Sequence, residues 1–307
     1  MSNVAIQPAR ASGEFSIGSD LRVVRLGYGS MQIPGPGVWG PPRDHDEVIR
    51  VLRRAVELGV TLIDTADSYG PEVSERIIRE ALYPYPRDLV IATKAGLTRS
   101  GPGLWGRNGK PAYLKAEAEK SLRLLGLERI ELFHLHRIDP KVPLADQLGA
   151  LADLRVEGKI GHIGLSEVSV SQIRAARTIT RIATVQNLYN VSDRGAEPVL
   201  DYCEREGIGF IPWFPMATGR LARRGGPLQR IANEHDVTPA QLALAWLLQR
   251  SPVMLPIPGT STVTHLEENV NAALIELTVD QIEELDDAIR WHPPRNPDRR
   301  YQPGEGV

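Results

Sequence analysis

Eight short apolar stretches, separated by longer stretches of helical period, most constrain how this 307-residue chain can fold. In chain order they read RLGYGSM, VTLID, DLVIATK, IELFHLH, IGHIGLS, ATVQNLY, GIGFIPWF and VMLPIPG. Several of the intervening segments begin near Ser, Asp or Pro and end at Gly, which is how helices are usually delimited. Strands joined through helices pair in parallel by right-handed crossovers. The pattern therefore predicts an α/β protein.

Eight parallel strands close into a barrel of favourable diameter, so we predict a single-domain (β/α)8 TIM barrel over residues 1–307. A doubly wound open sheet is the alternative, but LGYGSM lacks the G-x-G-x-x-G spacing expected after its first strand. Before the barrel, EFSIGSDLRVVRLG predicts an N-terminal hairpin. At the other end, RWHPPRNPDRRYQPGEGV, rich in Pro, Arg and Gly, predicts an irregular C-terminal tail.

Charge, apolar run length and cysteine content indicate what kind of molecule the protein binds and where it is found. The formal net charge is −2 and no block of like charge stands out, so we expect no nucleic acid and no anionic membrane as partner. The longest apolar run, LALAWLL, is too short to cross a bilayer. The single cysteine, Cys203, cannot form an intramolecular disulfide, which suits a reducing compartment. We therefore expect a cytoplasmic protein that acts on a small molecule.

Reactive side chains follow three consecutive predicted strands, at the end where barrels carry their active sites. Asp64 ends the second stretch and Tyr69 lies on the loop after it, Lys94 ends the third stretch, and His136 ends the fourth. Each has an ordinary alternative: a helix cap, a solvated strand end or a core histidine. Their occurrence together favours a catalytic site.

The combination has a chemical meaning. A tyrosine, whose usual pKa is about 10, donates a proton poorly at neutral pH unless a cation stabilises its phenolate. Lys94 can supply that cation, Asp64 can hold the charge of a buried lysine, and His136 can orient a substrate oxygen. The set contains no nucleophile and no metal-ligand cluster. It suits acid-assisted addition to a carbonyl group, with the second reactant supplied by a cofactor and no metal.

Motifs spread over almost the whole chain carry a family resemblance. RLGYGSMQI, LIDTADSYG, VIATKAG, LFHLHRID, IGHIGLSEV, TVQNLYN, WFPMATGRL and IPGTSTVTHLEEN resemble the aldo-keto reductases and occur in the family order. The resemblance implies a catalytic tetrad of Asp64, Tyr69, Lys94 and His136, in which Tyr69 donates the proton. It also implies NADPH across the barrel mouth, with hydride passing to an aldehyde or ketone. Within the family, GYGSMQIPGPGVWGPPRD and REALYPYPRDLVIATK resemble the bacterial members related to pyridoxal reductases.

The resemblance implies cofactor contacts at strand ends and in the loops that follow them. They are Gly29, Ser30, Met31, Asp64, Ser166, Gln186, Trp213, Phe214, Pro215, Met216, Gly219, Leu221, Gly259, Thr260, Ser261, Thr262, His265, Glu268 and Asn269. Among them, Ser166 and Gln186 would hold the nicotinamide carboxamide, and Trp213 would stack on the ring.

Two positions depart from the family pattern. Glu167 stands where Asn is frequent, and a carboxylate can accept from the carboxamide NH2 but cannot donate to its oxygen. In the last loop Ser261, Thr262 and His265 replace the Lys or Arg that often holds the 2′-phosphate, which predicts a moderate preference for NADPH.

Two similar loops, GPGVWG and GPGLWG, follow the first and third predicted strands. Each places a tryptophan, Trp39 or Trp105, beside glycines, which predicts either an apolar substrate pocket or two packing tryptophans. We expect Arg299, Arg300 and Tyr301 of the tail near the same mouth. An aromatic aldehyde such as pyridoxal is the predicted substrate. The competing hypothesis is a regulatory barrel that binds cofactor without turnover.

Overall fold

The computed structural model describes residues 7–215 and 227–290. Its strands are β1 (Glu14–Ile17), β2 (Leu21–Val24), β3 (Tyr28–Gly29), β4 (Leu62–Asp64), β5 (Val90–Ala95), β6 (Leu97–Gly101), β7 (Leu104–Arg107), β8 (Ile130–Leu135), β9 (Ile160–Ser166), β10 (Thr184–Leu188) and β11 (Gly209–Trp213). Its helices are α1 (His45–Glu57), α2 (Val73–Leu82), α3 (Pro111–Leu125), α4 (Leu144–Val156), α5 (Val170–Arg177), α6 (Glu197–Glu206), α7 (Pro227–Glu234), α8 (Pro239–Arg250), α9 (Val263–Asn271) and α10 (Val279–Arg290).

A parallel sheet of seven strands, in the order β11-β10-β9-β8-β5-β4-β3, forms the centre of the molecule. The chain has the predicted (β/α)8 fold. Residues 253–258, which belong to the stretch predicted as the eighth strand (253–259), join the two edges of the sheet. On one side Leu255 N donates to Phe210 O (2.8 Å), and on the other Gly27 N donates to Pro256 O (2.9 Å). Prolines lack an N–H donor, so Pro256 and Pro258 prevent this segment from forming a regular ladder.

Glycines allow the closing segment to approach β3. A Cβ on Gly29 would lie 2.5 Å from the Ile257 carbonyl oxygen, and a Cβ on Gly259 would lie 2.7 Å from the Gly29 carbonyl oxygen. Both distances are shorter than a carbon–oxygen contact allows. Arg25 reinforces this closure, because its guanidinium donates to the carbonyl oxygens of Leu248 (2.6 Å) and Ser251 (2.6 Å) at the end of α8.

Side chains alternate between the barrel interior and the helices, as the two-residue period of a strand requires. Apolar side chains from ten of the described residues fill the barrel interior. Two of them, Ile17 and Val23, come from the predicted hairpin of β1 and β2. The others are Leu62, Val90, Ala92, Leu132, Ala183, Ile211, Leu255 and Ile257. The intervening residues Ile63, Ile91 and Phe133 pack outward in the clusters under the helices. The hairpin therefore fills the end of the barrel opposite the carboxyl ends of the strands.

Local signals delimit the helices as expected. Ser169 and Thr238 form capping boxes at the starts of α5 and α8, and α3 ends at Gly126 in a left-handed conformation. Across residues 7–215 and 227–290, every helix is too short or too polar to span a bilayer. The predicted tail beyond residue 290 lies outside the described residues.

Two acidic side chains are buried near α2: Glu75 on the helix, and Asp67 on the loop before it. Glu75 of α2 is inaccessible to solvent and accepts a hydrogen bond from Thr93 Oγ1 at 2.7 Å. Burial raises the pKa of Glu75 to about 6, although the Thr93 hydrogen bond lowers it. Asp67 is close enough to Glu75 for their charges to interact. Burial, and to a lesser extent the charges of Glu75 and Glu117, raise the pKa of Asp67 well above its usual range. The fold thus favours the protonated form of both acids.

We predict that Glu75→Gln stabilises the protein above pH 6. The pKa of Glu75 rises from 4.5 to about 6 on folding, so the wild type loses stability as pH rises through this interval. The amide carries no charge, and the gain in unfolding free energy should reach about 2 kcal/mol at pH 8 and vanish near pH 4.5. Thermal and urea unfolding across pH, with the exposed Glu80→Gln of the same helix as control, measures it. A variant less stable than wild type at every pH would contradict the prediction.

Candidate active site

The structure brings Asp64, Tyr69, Lys94 and His136 together at the carboxyl ends of β4, β5 and β8, and all four are buried. Lys94 Nζ lies 2.6 Å from Asp64 Oδ2 and 5.1 Å from the centroid of the Tyr69 ring. The Tyr69 and His136 rings meet edge to face, with centroids 6.1 Å apart. Adjacent parallel strands place these residues side by side although up to 72 positions separate Asp64 from His136 in sequence.

Lys94 has no exposure to solvent, and its charge is balanced by fixed partners. Its ammonium group donates to Asp64 Oδ2 and to Thr65 O (2.8 Å), while Gln186 Nε2 donates to Asp64 Oδ1 (3.0 Å). Burial alone lowers the pKa of Lys94, but the attraction of Asp64 and Tyr69 outweighs it and the net pKa rises. Lys94 therefore carries its charge at neutral pH.

Tyr69 and His136 both hold their neutral forms. Burial raises the pKa of the Tyr69 phenol; Lys94 lowers it, as predicted, but by less than burial raises it. Burial, then the charges of Lys94 and Arg137, lower the pKa of His136 well below its usual range. Tyr69 thus keeps a proton that it can donate, and the neutral His136 can donate a hydrogen bond without adding charge.

Of the residues predicted to hold the nicotinamide, Ser166 ends β9, Trp213 ends β11, and Gln186 lies in the middle of β10 beside Ser166. Arg137, which sequence reasoning missed although it directly follows His136, donates to Ser166 Oγ at 2.8 Å and to the His136 carbonyl oxygen at 2.6 Å. Ser166 and Gln186 are nearly inaccessible, whereas the Trp213 ring is half-buried. Glu167 turns its side chain toward Trp213, whose Nε1 donates to Glu167 Oε1 at 2.7 Å.

The predicted contacts of the first and seventh loops are partly described. Ser30 is buried and its hydroxyl accepts from Ser74 Oγ at 2.8 Å, while the neighbouring Met31 is half-buried. After β11, Phe214 O accepts from Asn190 Nδ2 at 3.0 Å. The other predicted contact there, Pro215, is buried; Met216, Gly219 and Leu221 lie outside the described residues, as do Arg299, Arg300 and Tyr301.

The loop that follows the closing segment, residues 253–258, leads into α9. Thr262 caps this helix by accepting from His265 N at 3.4 Å. Of the other predicted contacts, Ser261 and His265 are exposed, Gly259 and Glu268 are half-buried, and Thr260 and Asn269 are buried. Sequence reasoning missed Glu47 of α1, whose Oε1 accepts from Val263 N at 2.9 Å and whose Oε2 pairs with Arg50 at 2.6 Å. A carboxylate therefore already lies against the start of α9.

Trp39 and Trp105 both contact Arg99, another residue missed from the sequence. The guanidinium carbon of Arg99 lies 3.7 Å from the Trp105 ring centroid and 5.5 Å from that of Trp39. Arg99 Nη1 donates to Val38 O (2.7 Å) and to Ser68 O (3.0 Å), and the second of these carbonyls belongs to the peptide that leads into Tyr69. The hairpin of β6 and β7 is thereby joined to both the Trp39 loop and the Tyr69 loop.

Among residues 7–215 and 227–290, no cluster of three or more His, Cys, Asp or Glu side chains could hold a metal ion. The site combines a buried phenol that can donate a proton with a buried ammonium group and a neutral imidazole. Such a set polarises and protonates an oxygen atom.

Comparison with known proteins agrees with this geometry. The model of the aldo/keto reductase family matches residues 25–290. An uncharacterised oxidoreductase of Schizosaccharomyces pombe is 50% identical over 91% of this chain and 90% of its own length. The pyridoxine 4-dehydrogenase of Escherichia coli is 43% identical over 91% of this chain and 99% of its own. The crystal structure of an aldo-keto reductase from Klebsiella pneumoniae in complex with NADPH superposes with a TM-score of 0.78 at 25% identity, covering 92% of this chain and 96% of that one.

We predict that Arg99→Met loosens the loops around the site. Methionine keeps a long unbranched side chain but cannot donate hydrogen bonds to Val38 O and Ser68 O. Because these bonds come from a charged group, their loss should speed local opening about tenfold or more. Amide hydrogen exchange of residues 35–40, 66–70 and 97–107 measures this. Arg107→Met, on the same hairpin and exposed, is the matched control. Equal exchange in the two variants would rule out the proposed loop clamp.

Proposed function

Because the chain belongs to the aldo/keto reductase family, we propose that it reduces an aldehyde or ketone with NADPH, using Tyr69 as the proton donor. The protein is an oxidoreductase, and NADP(H) is its cofactor. The observation that carries the assignment of roles is the buried Lys94, held between Asp64 and the Tyr69 phenol. A buried ammonium beside a protonated phenol is an arrangement for donating a proton to a developing alkoxide.

The proposed reaction divides between cofactor and protein. When bound, NADPH supplies hydride to the carbonyl carbon. Tyr69 donates its proton to the carbonyl oxygen, and Lys94 stabilises the phenolate that remains, while Asp64 keeps Lys94 charged. The neutral His136 donates a hydrogen bond to the same oxygen and so orients the substrate before the transfer.

Residues on β9, β10 and β11 fit a nicotinamide group. Ser166 Oγ accepts from Arg137, so its own O–H is available for the carboxamide oxygen. Gln186 uses Nε2 on Asp64, which leaves its carbonyl oxygen as an acceptor for the carboxamide NH2. The half-buried Trp213 ring offers an apolar surface for the nicotinamide. These donors and acceptors are complementary to a primary amide.

For the substrate, we propose an aromatic aldehyde, with pyridoxal the leading candidate. The similarity to the pyridoxine 4-dehydrogenase of Escherichia coli supports an alcohol or aldehyde on a pyridine ring. Trp39 and Trp105 add aromatic surface to the loops above β3 and β5. The alternative, a barrel that binds NADPH for regulation without turnover, keeps the same cofactor contacts and differs only in the absence of product.

We predict that Tyr69→Phe abolishes turnover and leaves NADPH affinity nearly unchanged. Phenylalanine fills the same space but removes the hydroxyl that donates the proton, a contribution of about 10²–10⁴-fold or more to the rate. The loss of NADPH absorbance with pyridoxal measures kcat, and calorimetric titration measures the Kd of NADPH. A wild-type-like kcat would refute the proton-donor role.

The same assay tests the substrate class. We expect kcat/KM to be higher for pyridoxal and benzaldehyde than for glyceraldehyde, because stacking adds about 0.5–1.5 kcal/mol per aromatic pair. Glyceraldehyde as the best of the three would contradict an aromatic substrate. Binding of NADPH without reduction of any carbonyl compound would favour the regulatory barrel.

We predict that Glu47→Gln strengthens NADPH binding and leaves NADH binding unchanged. If the 2′-phosphate lies at the start of α9, the Glu47 carboxylate on Val263 N repels it and also occupies Arg50. Removing this charge should lower the Kd of NADPH roughly two- to fivefold. Calorimetric titration with both nucleotides measures the effect, with Glu267→Gln, further along α9, as the control. An equal change for NADH would place the phosphate elsewhere.

A further inference from the structure

Glu167 lies directly after β9 in an unusual backbone conformation. Its φ angle is +55°, in the left-handed region that disfavours residues with a Cβ. Its backbone N donates to Gln186 O at 2.9 Å, which continues the pairing of β9 with β10 by one residue. The left-handed turn then directs the side chain across β10 toward β11.

One carboxylate oxygen of Glu167 joins the two following strands. Oε1 accepts from Leu188 N, the last residue of β10, at 2.7 Å. The same oxygen accepts from Trp213 Nε1, the last residue of β11, at 2.7 Å. Both distances are typical of hydrogen bonds to a charged acceptor. A single side chain thus fixes the spacing of three strand ends at the barrel mouth.

We propose that Glu167 is a positioning residue that fixes the Trp213 indole as the surface on which the nicotinamide lies; this inference rests on the proposed function. Glu167 acts through Trp213 and does not contact the cofactor. Its Oε1 already accepts from two donors, so it is poorly placed to accept from the carboxamide as well.

The indole lies at the start of a sharply turned segment, and its ring meets the Phe214 ring edge to face with centroids 6.4 Å apart. Trp213 is followed by Phe214, whose φ of +58° turns the chain sharply after β11. An indole has one polar atom, Nε1, and a hydrogen bond to it fixes rotation of the ring about its side-chain bonds. A ring held in one orientation loses less entropy when the cofactor stacks on it. Fixing the ring also fixes which face of the nicotinamide points to the substrate.

Two variants separate the hydrogen bonds from the charge and the size of the side chain. Glu167→Gln keeps an oxygen that can accept from both Leu188 N and Trp213 Nε1. Glu167→Met has similar length and no such acceptor, and both replacements meet the same backbone conformation. We expect NADPH to bind about tenfold more weakly to the Met variant, and within about threefold of wild type to the Gln variant. A Trp213→Phe variant, which lacks the N–H, should behave like Glu167→Met.

Three measurements test the inference: calorimetric titration with NADPH, thermal unfolding, and the stereochemistry of hydride transfer from (4R)- and (4S)-[4-²H]NADPH. Weaker binding with some loss of stereospecificity in Glu167→Met, rescue in Glu167→Gln, and no further loss when Glu167→Met is added to Trp213→Phe would support it. Wild-type affinity in Glu167→Met, equal losses in the Met and Gln variants, or additive losses with Trp213→Phe would overturn it.

The titrations need no turnover, so this test is separate from that of the proposed function. If the wild type binds NADPH but reduces no carbonyl compound, the proposed reductase activity fails while the comparison of Gln with Met still decides the role of Glu167. Tyr69→Phe provides the opposite control, because we expect it to lose turnover and to keep NADPH affinity. The melting temperature of each variant shows whether lost affinity comes from lost folding.

Discussion

The buried ion pair of Lys94 and Asp64 is the interaction on which the site depends. An ammonium group without solvent needs compensation, and removing one member of such a pair costs about 3–5 kcal/mol. The compensation comes from three strands, because Thr65 follows β4, Lys94 lies in β5 and Gln186 in β10. The pair therefore ties the barrel end together and sets the charge that Tyr69 and His136 experience.

Closure of the barrel makes this convergence possible. The seven-stranded sheet is completed by residues 253–258, which bond to β11 and to the segment around β3 although two prolines interrupt the ladder. The hairpin of β1 and β2 fills the opposite end with apolar side chains. With one end closed and packed, the polar strand ends face a single mouth.

Three charged side chains in this region hold the protein's own backbone and rings. Arg99 donates to carbonyl oxygens of two loops and contacts both tryptophans, and Glu167 joins the ends of β10 and β11. Glu47 likewise lies against the start of α9. Loops that carry binding residues need such fixed contacts, since their backbones lack a sheet ladder to hold them.

The sequence by itself determined most of the fold: the hairpin, the helix caps and seven of the eight predicted strands are local signals, and the structure confirms them. The eighth stretch closes the barrel without forming a regular strand, because two of its residues are prolines. It also placed Asp64, Tyr69, Lys94 and His136 at strand ends, because parallel strands align their carboxyl ends. Only the tertiary structure decided that Glu167 turns toward Trp213 and that burial outweighs Lys94 in setting the pKa of Tyr69. These outcomes depend on side chains brought together from distant segments, and on how much solvent they lose, which no local pattern encodes.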